Sequence, residues 1–215
     1  MLILYQIISP IASNFFKIRP AAPQGLGVEE AAFGQKGCGK KMVLYLGDKE
    51  LYDFMSGLCD DISTELPAEN AGSLIVAEYS HNAVSVVRAA VDKDIPVLGV
   101  LDGYRTVVEA YGGECIPIEN CPEGKQELAV LDTTIPIYKG LEHVMSICRG
   151  NPSAADEERL PPELDCIARS EAGDIIAVSD AEHKSVFAVN YYLNSSLTRG
   201  ADRIIMNFLN LTPGE

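Results

Sequence analysis

Three apolar, β-prone runs alternate with helical patterns in the first half of the chain, and this alternation restricts the fold more than any other feature. The apolar runs are MVLYL (42–46), SLIVA (73–77) and IPVLGV (95–100). The helical patterns that follow them cover 48–62, 81–92 and 104–112. Near-continuous apolar strands separated by helices are typical of a parallel sheet covered on both faces. The sequence therefore predicts an α/β fold.

The second half changes character, because its short β-like runs have few helices between them. These runs are ECIPI, ELAVL, DCIARS, DIIAVS and VFAVNYY. Two of them flank Glu171-Ala172-Gly173, which indicates a hairpin. The last helical pattern carries one apolar stripe, formed by Ile204, Ile205, Phe208 and Leu209. We expect a mostly parallel sheet with helices on both faces and a small antiparallel annex.

Residues 1–41 have no clean strand or helix period. Their apolar start is interrupted by Pro10 and is too short to span a bilayer. Gly34, Gly39 and Lys40 partly match a phosphate-binding loop, but Lys41 stands where a hydroxyl residue is needed, and a strand follows instead of a helix. We interpret 1–41 as a loosely structured extension or a misassigned start, and 42–215 as the folded domain.

Composition excludes several classes of function. The formal net charge of −14 argues against binding to nucleic acid and to anionic membranes. The six cysteines contain no C-x-x-C pair, and the three histidines are far apart, so we expect no metal site and no cofactor. Reduced, mostly buried thiols predict a cytoplasmic protein. The sequence leaves open whether the chain forms a homo-oligomer.

One turn has the form of an enzyme's nucleophile site without the nucleophile. The stretch VLGVLDGYRTVVEAYGG (97–113) combines a strand, a turn between two glycines and a helix. Many α/β enzymes hold their nucleophile in the middle of such a Gly-x-x-x-Gly turn. We call residues 99–103 the elbow: Gly99 and Gly103 bound it, and its middle residue is Leu101. Leucine has no nucleophilic group.

The elbow is part of a longer resemblance. The stretches IPVLGVLDGYRTVVEAYGGE (95–114) and VFAVNYYLNSSLTRGADRIIMNFL (186–209) have an order and separation that resemble the class I (triad-type) glutamine amidotransferases, most closely the small subunit of anthranilate or aminodeoxychorismate synthase. The segments IPIYKGLEHVMSI and LPPELDCIARSEAGDIIAV between them agree with this. The resemblance covers 42–212 and implies a flavodoxin-like fold.

The same resemblance implies that the catalytic residues are replaced. In that family a cysteine attacks the glutamine amide, a histidine serves as base and acid, and a glutamate orients the histidine. These positions correspond here to Leu101, Tyr192 and Asn194. A tyrosine hydroxyl with a pKa of about 10 is a poor base, and asparagine carries no charge. The segment that corresponds to the glycine-rich oxyanion loop, AEYSHNA (77–83), has no glycine.

Several residues near the elbow have alternative roles. The candidate pocket residues are Gly99, Asp102, Gly103, Tyr104, Arg105 and Tyr191. Asp102 is alternatively a helix N-cap, and Arg105 a solvated or ion-paired side chain. Tyr191 and Tyr192 are alternatively wall residues. The candidate substitute nucleophiles are Cys115, Cys148 and Cys166, none of which is predicted at a helix N-terminus. The Asp102 carboxylate is a further candidate, but it lies one residue past the elbow tip.

The sequence therefore predicts a glutamine amidotransferase-like protein without glutaminase activity, acting as a binding or structural subunit. Its expected partner is the large subunit of a chorismate-using synthase. Two alternatives remain at this point. One is a working amidotransferase subunit that supplies ammonia to such a synthase, and the other is an enzyme of different chemistry in the remodelled pocket.

Overall fold

One nine-stranded sheet runs through the computed structural model, which describes residues 42–59, 61–64, 71–182 and 185–211. The strands of the described residues are β1 (Met42–Leu46), β2 (Ile62–Ser63), β3 (Ala71–Val76), β4 (Val97–Val100), β5 (Cys115–Pro117), β6 (Gln126–Leu131), β7 (Val144–Cys148), β8 (Ser153–Ala155), β9 (Leu164–Ser170), β10 (Ile175–Asp180) and β11 (Val186–Val189). The α-helices are α1 (Lys49–Ser56), α2 (His81–Val91), α3 (Asp102–Ala110) and α4 (Ala201–Leu209).

The large sheet has a parallel half and an antiparallel half. Its order is β2-β1-β3-β4-β11-β10-β9-β6-β7. Neighbours from β2 to β11 are parallel, and neighbours from β11 to β7 are antiparallel. The remaining two strands, β5 and β8, form a small antiparallel sheet of their own. The predicted annex is thus mainly a continuation of the central sheet.

Helices cover both faces of the sheet because alternate strand residues point to opposite sides. Val43 and Leu98 pack in one core cluster with Leu51 of α1 and Ile204 of α4. Their neighbours Leu44 and Val97 face the other cluster, which contains the buried faces of α2 and α3. The predicted α/β fold with helices on both faces is confirmed. Of the apolar stripe predicted for α4, Ile204, Ile205 and Phe208 are buried, and Leu209 is half-buried against the same core cluster.

Local differences from the prediction have local causes. The helix predicted over 48–62 ends at Ser56, and Ile62–Ser63 instead pairs with β1 as a short edge strand. The hairpin at Glu171-Ala172-Gly173 is confirmed: β9 and β10 are antiparallel, and Gly173 has a φ of +93° that favours glycine. Sequence patterns did not predict β7 and β8.

The predicted extension at 1–41 lies outside the described residues. In the part of the chain that the structure describes, no helix has the length and apolar character that crossing a bilayer requires.

Candidate functional site

The elbow joins β4 to α3 with a strained residue at its tip. Leu101 has φ 56° and ψ −113°, a backbone conformation that L-residues rarely adopt. Its N–H donates to the carbonyl of Val189 at 3.0 Å, and its carbonyl accepts from the N–H of Tyr104 at 2.9 Å. A non-glycine residue in such a conformation costs about 1–3 kcal/mol, which the surrounding structure must offset. The turn therefore keeps the sharp geometry of a nucleophile elbow although it carries a leucine.

Close backbone approach explains the two glycines of the elbow. A Cβ on Gly103 would lie 1.8 Å from the carbonyl oxygen of Val76. A Cβ on Gly99 would lie 2.5 Å from the carbonyl oxygen of Gly103. The start of α3 is thus pressed directly against the ends of β3 and β4, and only glycine fits at these two positions.

The Leu101 side chain points toward the loop that follows β7. A Cβ built on Gly150 would lie 2.6 Å from Leu101 Cδ2 and 2.7 Å from Asn190 Oδ1. The leucine is half-buried and packs against the core cluster that α1 and α4 cover. An apolar group and a tight glycine contact therefore occupy the space beside the turn tip.

A polar network ties that loop to the elbow. The fully buried side chain of Asn190 accepts from the N–H of Asn151 at 3.0 Å and donates to the Ser153 carbonyl at 2.6 Å. The Asn151 side chain in turn donates to the Asp102 carboxylate. Sequence patterns did not single out Asn151 or Asn190, since an isolated asparagine after a strand is an ordinary loop signal.

The alternative role of Asp102 as a helix N-cap is wrong. Asp102 is the first residue of α3, and the N-cap position belongs to Leu101, which makes no side-chain cap bond. The carboxylate instead accepts from Asn151. The cause is the strained turn, which lets the helix begin one residue after the tip.

Tyr192 and Asn194 lie beyond the end of β11. Because β11 runs parallel to β4 with Val189 opposite Val100, both strands deliver their following residues to one edge of the sheet. Tyr192 is half-buried, and burial raises the pKa of its hydroxyl, with the negative charges of Glu123, Asp102 and Asp48 adding to the shift. A raised pKa keeps this phenol protonated at neutral pH. Asn194 is half-buried and uncharged.

Two candidate pocket residues lie in the core. The Tyr104 hydroxyl donates to the Ile175 carbonyl at 2.7 Å and accepts from the Ala155 N–H at 3.0 Å. The fully buried Tyr191 shares a 3.0 Å hydroxyl–hydroxyl hydrogen bond with Tyr138. Burial raises the pKa of both phenols well above its usual range. Neither side chain is placed to meet a ligand at the elbow, because both are buried in the core and do not line an open pocket.

Arg105 lies on the outer side of α3 and is ion-paired. Its Nε is 2.9 Å from Glu109 Oε1, and its guanidinium stacks 4.0 Å from the centre of the Tyr79 ring. The ion-paired alternative for Arg105 is thus confirmed.

The segment that corresponds to the oxyanion loop, 77–83, is held by its own side chains and by α3. Ser80 Oγ accepts from the Ala83 N–H at 3.0 Å and caps α2. The Glu78 carbonyl accepts from the buried Thr106 hydroxyl. This carbonyl and the capping hydroxyl serve the packing of α2 and α3.

The three candidate substitute nucleophiles, Cys115, Cys148 and Cys166, all lie on strands. Burial raises the pKa of Cys115 to about 12 and raises that of Cys166 as well. Cys148 is buried in β7, and none of the three lies at a helix N-terminus. No group of three or more His, Cys, Asp or Glu side chains within the described ranges is arranged to hold a metal ion.

Comparison with known proteins identifies relatives of this fold and sequence. The family model "Glutamine amidotransferase class-I" matches residues 72–211. The chain is 30% identical over 129 residues to the bifunctional protein TrpGD of Thermotoga maritima, covering 60% of this chain and 21% of that protein. It is 27% identical over 116 residues to anthranilate synthase component 2 of Cyanophora paradoxa, covering 54% of this chain and 60% of that protein.

Solved structures share the fold at low sequence identity. A glutamine amidotransferase of Thermotoga maritima superposes with a TM-score of 0.60 at 11% identity, over 73% of this chain and 77% of that chain. A glutamine amidotransferase of Methylobacillus flagellatus superposes with a TM-score of 0.61 at 14% identity, over 82% of this chain and 97% of that one. The matched part of this chain spans less than two thirds of the length of either curated relative.

Proposed function

Because the chain belongs to the class I glutamine amidotransferase family, we propose that it is a member without glutaminase activity that acts as a binding or structural subunit. Its partner in this proposal is the large subunit of a chorismate-using synthase that takes free ammonia. The partner class is supported by relatives named anthranilate synthase component 2.

The observation that carries the proposal is the apolar tip of the elbow. Amide hydrolysis through an acyl-enzyme needs a nucleophile at a turn tip and a base within hydrogen-bond reach. Leu101 occupies the tip with a side chain that packs toward Gly150. Tyr192 and Asn194, at the positions assigned to base and orienting acid, supply a protonated phenol and a neutral amide. The three replacements are consistent with one another, because triad residues act as a unit. Once one of them is replaced, the other two contribute little to catalysis.

The purified full-length chain, alone and mixed with the synthase large subunit, is expected to release no ammonia from glutamine above a buffer blank. A catalytically competent anthranilate synthase component 2 is the positive control. A glutamine-analogue electrophile is expected to label none of the cysteines, as judged by intact mass. The matched variant Leu101→Cys is expected to remain inactive, because a thiol at the tip still has no base.

Ammonia release by the unmodified chain would contradict the proposal and would favour a working amidotransferase subunit. Labelling of Cys115, Cys148 or Cys166 by the electrophile would identify a substitute nucleophile and would contradict it as well. Measurable turnover by Leu101→Cys would show that the rest of the site is intact.

A further inference from the structure

We propose that the outward face of the β6–β7 hairpin is the surface on which the synthase large subunit docks, through a contact area that is apolar at its centre and carries cations at one end of its rim. This inference rests on the proposed function, because it names where that partner binds. The docking face is defined by Leu128, Val130, Val144 and Leu197 with the flanking cations Lys125 and Arg199.

The centre of the docking face is a contiguous group of exposed apolar side chains. Leu128, Val130 and Val144 are 42%, 45% and 46% exposed. Val130 lies directly opposite Val144 in the ladder, and Leu128 lies opposite Ser146, so these side chains share one side of the hairpin. The Ser146 hydroxyl donates to the carbonyl of Leu197, whose side chain is also exposed. A contiguous exposed apolar group of this kind marks an interaction site more often than scattered residues do.

The inward side of the same hairpin is part of the core. Ala129, Leu131, Met145 and Ile147 alternate with the exposed residues and are buried in the cluster that α1 and α4 cover. The hairpin is therefore firmly packed on one side, and β7 is the last strand of the large sheet. A partner would meet a rigid surface and would not have to order it first, which lowers the entropic cost of binding.

One end of the docking face is cationic in a strongly acidic chain, whereas the exposed carboxylates Asp132 and Glu142 lie at the other end of the hairpin. The exposed side chains of Lys125 and Arg199 form no ion pair with any described residue. The Arg199 N–H donates to the Ser146 carbonyl, and Lys125 directly precedes β6, so both lie beside the apolar centre. Elsewhere, Lys49, Arg105 and Arg159 are paired with carboxylates of this chain, whereas the exposed Lys139 and Arg203 form no ion pair with a described residue either.

Charge indicates what kind of partner this surface fits. Unpaired cations at a rim favour a partner that places carboxylates there, and they make association faster at low salt. Two copies of this chain would each carry a net charge of −14, and their mutual repulsion opposes self-association at low salt. A different protein with a locally acidic contact surface therefore fits better than a homodimer.

The test measures the dissociation constant between the full-length chain and the purified large subunit of the chorismate-using synthase from the same organism. Val130→Asp and Arg199→Glu are expected to weaken binding about tenfold or more. Two matched controls are expected to leave it unchanged: Ile116→Asp, which is also 45% exposed but lies on the separate β5–β8 sheet, and the surface charge reversal Lys49→Glu. Raising the salt concentration is expected to weaken the wild-type complex.

Each outcome decides a different point. If the wild-type chain does not bind the large subunit, both the docking face and the proposed partner are wrong. If it binds and the variants bind equally well, only the docking face is wrong. If sedimentation shows a wild-type dimer that Val130→Asp dissociates, the face belongs to a second copy and the inference is overturned. Because Arg199 is exposed and lies outside the strands, the Arg199→Glu variant tests the rim even if Val130→Asp fails to fold.

Discussion

At the scale of single residues, the most informative feature is a strained leucine. Leu101 has φ 56° and ψ −113°, although its side chain has no thiol or hydroxyl that this turn could present as a nucleophile. The hydrogen bonds to Val189 and Tyr104 and the close packing at Gly99 and Gly103 impose the conformation on whatever residue stands there. The strain is therefore a property of the turn, and its cost should be measurable by substitution.

Replacing Leu101 by glycine or by alanine separates strain from side-chain loss. Both variants lose the packing of the leucine side chain beyond Cβ, and alanine keeps the Cβ itself, but only glycine tolerates the positive φ. Leu101→Gly is therefore expected to be more stable than Leu101→Ala by about 1 kcal/mol. Urea unfolding measures the difference. The control is Leu128, which has no positive φ and where glycine should be the less stable of the two. If the alanine variant were the more stable of the two at both positions, Leu101 would not be strained.

At the scale of elements, the start of α3 is packed against the end of β3 through backbone contact. Gly103 sits where a Cβ would collide with the Val76 carbonyl, which is a main-chain atom that cannot move aside as a flexible side chain would. The Tyr104 hydroxyl then connects the same helix to Ile175 of β10 and Ala155 of β8. The elbow is thus a joint between the parallel half, the antiparallel half and the small sheet.

Gly103→Ala is expected to destabilise the protein by about 3 kcal/mol or more, because the methyl group forces α3 away from β3. The matched control is Gly57→Ala, where a Cβ would be 3.4 Å from its nearest neighbour and the backbone is right-handed. Thermal or urea unfolding of both variants measures the effect. Equal stabilities would show that the close approach at Gly103 is not required.

At the scale of the whole molecule, a buried arginine joins segments that are distant in sequence. Arg149 is fully buried, with Glu127 of β6 at 3.0 Å, Asp174 near the β9–β10 turn at 3.7 Å and the Ser153 carbonyl at 3.5 Å. Its Nε has no hydrogen-bond partner among the described residues. A charge in the core is tolerated only while it remains paired. Arg149 therefore stabilises the antiparallel half only as long as its carboxylate partners are present.

Arg149→Met is expected to destabilise the protein by about 3–5 kcal/mol, because it leaves the Glu127 carboxylate buried without its partner. The double variant Arg149→Met/Glu127→Leu is expected to recover much of that loss. Arg159→Met, which breaks an exposed ion pair, should change the free energy of unfolding by less than about 1 kcal/mol. If the double variant were as unstable as the sum of its single changes, the two charges would not act as a pair.

Sequence patterns predicted the parts of the fold that depend on local order. The apolar runs that became β1, β3 and β4, the glycine-bounded turn and the stripe of α4 all follow from short-range periodicity. The same patterns extended α1 past Ser56 and gave no sign of β7 or β8, because short strands in irregular segments have weak periodicity.

By itself, the sequence determined the α/β architecture, the place of the elbow and the absence of a nucleophilic side chain at its tip. The tertiary structure alone decided that Leu101 faces Gly150, that Asn151 binds Asp102, and that the Tyr104 hydroxyl is buried. The physical reason is the separation of the contacting residues along the sequence. Strand and helix patterns are set by neighbours a few residues apart, whereas these contacts join residues about 50 positions apart and exist only once the sheet is assembled.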